Sequence, residues 1–291
     1  KKFTCELEED VFFPYSEINS MRRKAVSKLL KIKSRKKPNL TLPKSKRKQV
    51  LGNPKFFVKV YDPIQVKRAI QAKADVIYYN VFEQDIEKIK YIIDKSESKF
   101  FLDIPRITFD NQIPFIIKQI KKLNPDGLLL GNPALLNYDL DKEIHLNYSF
   151  NLFNDDNLAY WDKLGIISPE LNLNELRDFK NKNFMVLVHG DLVVMNSKQR
   201  LKSDFLTDRK NMKFPVRTNP AGYTEILNSV KFGFFNEIHR LINSGIKYFY
   251  FDLNQNVFKT LNLYRKIINQ GYNDTKIKKG YTRGHLLRGV K

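Results

Sequence analysis

A chain of 291 residues, 42% of them hydrophobic, can bury one large core and carry a small appendage. Fifty-two Lys and Arg against 31 Asp and Glu give a formal charge of +21, which points to an anionic partner such as RNA, DNA or an anionic membrane surface. The single cysteine, Cys5, excludes an intramolecular disulfide and suits a reducing cytosol; with no apolar run near the length of a membrane span and no signal-peptide pattern, a cytoplasmic protein without a membrane partner is expected.

The opening Lys-Lys, without Met, reads as a piece of something longer. Ser16 is placed to cap a helix from Glu17 to about Ile32, with Ile18, Met21, Val26, Leu29 and Leu30 as its apolar side. Residues 22–49 hold many Lys and Arg and no acid, and the segment 34–48 has two prolines and no apolar periodicity. That is an arm or linker: either it binds phosphates or it is a solvated tether. Residues 1–49 are therefore expected to be the end of a preceding domain plus a basic linker.

From residue 54 short apolar runs alternate with helical patterns. The runs are Phe56–Val60, Val76–Tyr79, Phe100–Ile104, Gly127–Leu130, Ile144–Ser149, Gly165–Ile167, Phe184–Val188 and Tyr248–Leu253. Between or after them come helical candidates, among them Pro63–Ala72, Phe82–Ile93, Gln112–Leu123, Asp155–Leu164, Asn174–Phe179, Glu225–Asn243 and Val257–Asn269. Strand then helix, eight times over, predicts an α/β chain folded as a (β/α)8, TIM-barrel-like domain over 54–291, with a doubly wound open sheet as the alternative.

In such a barrel the site forms where strands end. The polar residues there are Asn80, Asp103 with Arg106, Asn132, Ser149 with Asn151, Ser168 with Glu170, His189 and Asp252. Each alone reads as a helix cap, but Arg106 and His189 are not preferred caps. The stretch from Phe184 to Ser229 is the most informative: a buried-strand run ends on His189-Gly190, a long polar excursion carries Asp208, Arg209 and Arg217, and Thr224-Glu225 is expected to open a helix. His189, Glu225 and Asp208 are the candidate catalytic groups, His189 because its ordinary pKa lies near neutrality. Asp208–Arg209 has a second reading as a buried architectural pair. Asp103, Arg106, Asn132, Asn151, Glu170, Arg209 and Arg217 are expected to bind substrate. Arg283, His285 and Arg288 in YTRGHLLRGV (281–290) join them, since arginine forks suit phosphate or carboxylate.

No metal site is expected: His145, His189, His239 and His285 fall in no ligand spacing. There is no GxSxG elbow and no glycine-rich phosphate loop, and Cys5 lies in an acidic segment far from any histidine.

The segments DGLLLGNPALL (126–136), HLNYSFNLFN (145–154), SPELNLNELR (168–177), VHGDLVVMNS (188–197), LTDRKNMKFPVRT (206–218), TEILNS (224–229) and YTRGHLLRGV (281–290), in that order, resemble peptidase family U32, the collagenase-like proteases. The likeness is to the C-terminal half of the long members, and FFPYSEINSMRRKAVSKL (12–29) resembles the domain that precedes that half. The family name implies proteolysis. Relatives that hydroxylate a pyrimidine in transfer or ribosomal RNA, or work in pairs on a quinone precursor with iron–sulfur clusters, imply instead a hydroxylation or RNA-modification role. RNA is then the expected partner. Relatives carry cysteines after the Met-x-Ser of the seventh loop and before Thr-Glu-Ile. Here Lys198-Gln199-Arg200 and Ala221-Gly222-Tyr223 stand in those places. Clusters need thiolates, usually four, so no iron–sulfur cofactor bound in the family manner is expected. A non-catalytic half or a cluster-bearing partner subunit is the corresponding alternative.

Overall fold

A computed structural model describes residues 14–33, 43, 49–271 and 280–289. Cys5 and nearly all of the expected arm at 34–48 lie outside the described residues. The chain divides into two units, Lys1–Leu42 and Pro43–Lys291.

The first unit contributes helix α1 (Tyr15–Lys33). It begins before the predicted Ser16 cap. Pro14 has no N–H to leave unpaired, and its carbonyl accepts the N–H groups of Glu17 and Ile18, so Ser16 lies inside the first turn.

The second unit runs β1 (Lys55–Lys59), α2 (Pro63–Gln71), β2 (Val76–Asn80), α3 (Ile86–Ile93), β3 (Lys99–Ile104), α4 (Ile113–Leu123), β4 (Gly127–Leu130), β5 (Glu143–Leu146), α5 (Asp155–Trp161), β6 (Leu164–Gly165), α6 (Leu173–Asp178) and β7 (Met185–Gly190). Then follow β8 (Val193–Ser197), β9 (Phe205–Thr207), β10 (Lys213–Thr218), β11 (Thr224–Leu227), β12 (Lys231–Gly233), α7 (Ile238–Asn243), β13 (Tyr248–Asp252), α8 (Val257–Gln270) and β14 (Tyr281–Thr282). The helices start where the sequence provides caps. Asp62 accepts from the Gln65 N–H ahead of α2, Asn154 does the same for α5, and Asn172 with Glu175 forms a reciprocal capping box on α6.

Ten strands form one mostly parallel sheet in the order β14-β12-β7-β13-β1-β2-β3-β4-β5-β6. The sheet curls. Beyond β6 the chain returns to β7 through a parallel bridge between Ile166 and Met185, where the Ile167 N–H donates to the Met185 carbonyl at 2.9 Å. The α/β class is the expected one, and each predicted apolar run overlaps a strand of this sheet, though the run Ile144–Ser149 leaves β5 at Leu146 and Gly165–Ile167 shares only Gly165 with β6. Runs such as Val76–Asn80 and Met185–Gly190 are buried along their whole length, which is why they read as continuous apolar segments.

Register aligns the strand ends. Lys59 pairs with Asp252 on one side and Tyr78 on the other, and Asn80 pairs with Asp103. Below that level the interior holds Tyr78, Phe101, His145 and Tyr250 in edge and stacked ring contacts; above it the interior is polar.

The excursion after β7 is not a loop followed by a long helix. It is an antiparallel sheet in the order β8-β11-β10-β9. The helix expected over Glu225–Asn243 is instead β11, β12 and the short α7. Glu225 lies in mid-strand opposite Arg217, and that cross-strand pair outweighs the local helical pattern.

Candidate functional site

Five ionisable side chains meet at the C-terminal ends of the parallel strands. Lys59 Nζ lies 2.8 Å from Asp103 Oδ2, with both side chains under one-tenth exposed. Arg217, reaching in from β10, donates from its Nε to Glu225 Oε2 at 2.8 Å, and its Nη2 lies 2.7 Å from the same oxygen as an ion pair. Asn219 Nδ2 donates to Glu225 Oε1 at 2.7 Å, and the Tyr223 hydroxyl donates to the same oxygen at 3.3 Å. The Arg217 guanidinium stacks 4.4 Å above the Tyr61 ring, and the Tyr61 hydroxyl donates to Asp252 Oδ1 at 2.5 Å. Asp191 stands behind, 3.7 Å from Arg217 Nη1 and 3.5 Å from Lys231 Nζ.

Burial and charge pull in opposite directions here. Burial works against the Lys59 charge, but Asp103, Asp252 and Glu225 together hold its pKa above the ordinary value. Burial would raise Glu225, yet Arg217, Lys59 and Asn219 outweigh that and keep its carboxyl below the usual range. For Asp252 burial wins over Lys59 and Arg217, with Asp191 adding to it, and the carboxyl is pushed up to about 6. One buried acid therefore exchanges a proton near neutrality beside Lys59 and Glu225, which are held in their charged forms.

Above these groups lies a small cavity of about 20 Å³, lined by Lys59, Asp103, Asn147, Asn196, Glu225 and Asp252 among others. That is space for about one water-sized group. Asn147 Oδ1 and Asn196 Oδ1 are buried there without a hydrogen-bond partner among the described residues. The cavity shares Arg106, Tyr148 and Val193 with a wide cleft of about 700 Å³, bounded by Asn151, Glu170, Asn228, His285 and Arg288. A cavity of about 610 Å³ also opens at the opposite mouth, around Lys55, Glu143 and Lys163. The unpaired buried oxygens and the shifted Asp252 favour the C-terminal end as the working one.

The expected site residues divide. Asp103, Arg106 and Glu225 line the inner cavity, and Arg106, Asn151, Glu170, His285 and Arg288 line the cleft. Arg217 is tied to Glu225 beside them. Asn132 is elsewhere engaged: its Oδ1 caps Ala134 and its Nδ2 donates to the Pro105 carbonyl and to Thr108. Arg283 is paired with Glu237 at 3.3 Å. Asp208 and Arg209 sit exposed at the tip of the β9–β10 hairpin, where Asp208 Oδ1 accepts the Lys210 and Met212 N–H groups. They form neither a buried pair nor a part of the cleft.

His189 does not join Arg217. Its ring lies 5.2 Å from Phe235, 5.8 Å from Tyr264 and 5.0 Å from Tyr281. It pairs in register with Phe251, which packs on Tyr264 of α8, whereas the next residue, Asp252, points to the interior. The two residues thus belong to opposite faces of the sheet. Burial, reinforced by Lys231, pushes His189 down to about 3, so it stays neutral in its aromatic cage.

Sequence reasoning missed Lys59, Tyr61, Asp191, Asn219 and Tyr223. Lys59 had a signal, a cation inside the apolar run 56–60. Tyr61 and Asp191 closely follow β1 and β7 and read as ordinary loop residues, while Asn219 and Tyr223 depend on the β10–β11 pairing, which the sequence did not signal.

The sequence signature of Peptidase family U32 matches residues 64–286. No curated protein matches the chain. Among solved structures, a Rubisco-like protein from Rhodopseudomonas palustris superposes with a TM-score of 0.44 at 4% identity, over 78% of this chain and 67% of that one. An uncharacterized Bacillus cereus protein gives 0.42 at 10%, over 75% and 65% of the two chains, and the Bacillus cereus spore cortex-lytic enzyme SleL gives 0.40 at 8%, over 75% of each. At these values none of them bears on function.

Proposed function

The chain belongs to peptidase family U32, and from that premise we propose that it acts on RNA, or helps a partner subunit do so, in RNA modification. The eight parallel strands from β1 to β7 and β13 are read as a closed (β/α)8 barrel over 54–291, with 1–49 as the end of a preceding domain and its basic linker. The carrying observation is the cleft that narrows from a cationic lip, Arg106 and Arg288 beside His285, to the charged floor of Lys59, Asp103, Arg217, Glu225 and Asp252. Arginine forks at the lip suit phosphate oxygens, and a charge of +21 draws a polyanion to them. A base entering the narrow end meets fixed charges of both signs and one acid, Asp252, able to take or give a proton near neutrality. Lys59 and Arg217 are the groups to stabilise negative charge developing there.

One cysteine cannot supply the four thiolates of a cluster, so any electron source of that kind belongs to a cluster-bearing partner. A cytoplasmic setting fits this reading; among the described residues no helix is long and apolar enough to cross a membrane. Peptidase activity is the family name's alternative. Against it, the cleft serines are otherwise engaged: Ser149 Oγ donates to the Gly131 carbonyl and Ser168 Oγ accepts the Glu170 N–H.

The test is equilibrium binding of labelled transfer RNA and ribosomal RNA fragments at two salt concentrations. Arg106→Ala with Arg288→Ala should weaken binding about tenfold and flatten the salt dependence, with Tm changed by only a few degrees. RNA affinity no better than that for a neutral polymer, together with cleavage of a collagen-like peptide, would overturn the proposal in favour of the peptidase.

A further inference from the structure

The sheet β8-β11-β10-β9 has two ends with different chemistry. Its inner part, β11 with Arg217 and Asn219, completes the charged floor. At its start, Val193 and Val194 form part of the cleft wall. Its outer part, the β9–β10 hairpin and the β8–β9 connection, is exposed. Lys198, Arg200, Lys202, Arg209, Lys210 and Lys213 all lie there, and none is in an ion pair with a described residue. The two acids of the segment are Asp204 and Asp208, and Asp208 is committed to holding the hairpin tip.

Among these cations stand large apolar side chains left partly in solvent: Phe205 and Met212 are each 42% exposed. Lys213 Nζ lies 4.6 Å from the Phe205 ring centre, and Lys198 Nζ lies 5.3 Å from that of Phe109. Cations set beside the exposed Phe205 ring match a single-stranded nucleic acid, whose phosphates meet the charges and whose unpaired bases stack on the ring. A duplex hides its base faces and would leave Phe205 without a partner. An acidic protein would use the cations but not the ring.

We propose that the β9–β10 hairpin and the β8–β9 connection hold the single-stranded RNA that flanks the nucleotide lying in the cleft. This rests on the RNA reading of the cleft. The sheet then links the two, since it runs from the cleft wall at Val193 to the hairpin tip.

The experiment uses the full chain and a labelled 12-nucleotide single strand, alone and as a duplex. Phe205→Ala should weaken single-strand binding at least fivefold, leave the salt slope unchanged and leave duplex binding unchanged. Replacing Arg209, Lys210 and Lys213 together by Gln should weaken binding and lower the salt slope by about 2. All these positions are exposed, and an unchanged Tm checks that the fold is intact. If both variants bind like the wild type while Arg106→Ala binds worse, the hairpin assignment fails and the cleft reading stands. If the wild type binds no RNA at low salt, both fail. Equal loss of single-strand and duplex binding in Phe205→Ala would refute stacking. Hairpin-dependent binding of acidic peptides or anionic vesicles, with none to RNA, would assign the surface to that partner instead.

Discussion

Asp252 and His189 sit at the ends of adjacent strands and titrate in opposite senses. Asp252 has its folded pKa raised to about 6 from 3.8. Its contribution to stability is complete below pH 4 and is lost as pH rises through 6, by up to about 3 kcal/mol. His189 has its folded pKa lowered to about 3 from 6.5, so the unfolded chain alone takes up that proton as the medium is acidified. Its contribution is complete above pH 6.5 and is lost on the way down to 3, by up to about 5 kcal/mol. Asp252→Asn should therefore remove a fall in stability with rising pH, and His189→Phe a fall with dropping pH. Urea midpoints measured from pH 4 to 8 check both. A variant that keeps the wild-type slope would show that its residue does not titrate as described.

At the scale of elements, the turn out of β7 depends on Gly190. Its φ is +122°, and a Cβ there would overlap the Asp252 carbonyl oxygen on the neighbouring strand. Gly190→Ala should lower stability by more than about 3 kcal/mol or abolish soluble expression, because neither the backbone angle nor the space exists for a side chain. A soluble variant with wild-type Tm would contradict this. The parallel strands β1 to β4, β7 and β13 were legible because they are buried along most of their length, so each appears as an apolar run bounded by turn residues, whereas the short β12 and β14 gave no such run. The strands of the β8–β11 sheet were not legible either. The pattern of β10 mixes exposed and half-buried positions, and β9 has three residues. Glu225 looked like a helix start because its partner, Arg217, is supplied by another strand. The same limit hid the floor: Lys59 and Asp103 are 44 positions apart in sequence, and only the register of β1, β2 and β3 brings them to one level.

For the molecule as a whole, charge and topology act together. The excess of cations draws a polyanion, and the curled sheet brings residues 59, 103 and 252 to one floor that β10 and β11 complete with 217 and 225. That gathering depends on a junction made early and late in the chain: β1 pairs along all five residues with β13, Lys55 to Tyr248 through Lys59 to Asp252. A chain ended after Ile246 should leave β1 and β7 without their shared neighbour and expose Phe56 and Val58. It should be insoluble or protease-sensitive, as limited proteolysis of the translated fragment would reveal. The same junction sets a timetable for synthesis. A nascent chain emerging from the ribosome holds β1 for nearly two hundred residues before its partner arrives. During that interval its apolar strand edges need shelter, so this protein should be a client of chaperones that work at the exit tunnel, released only once β13 has cleared it.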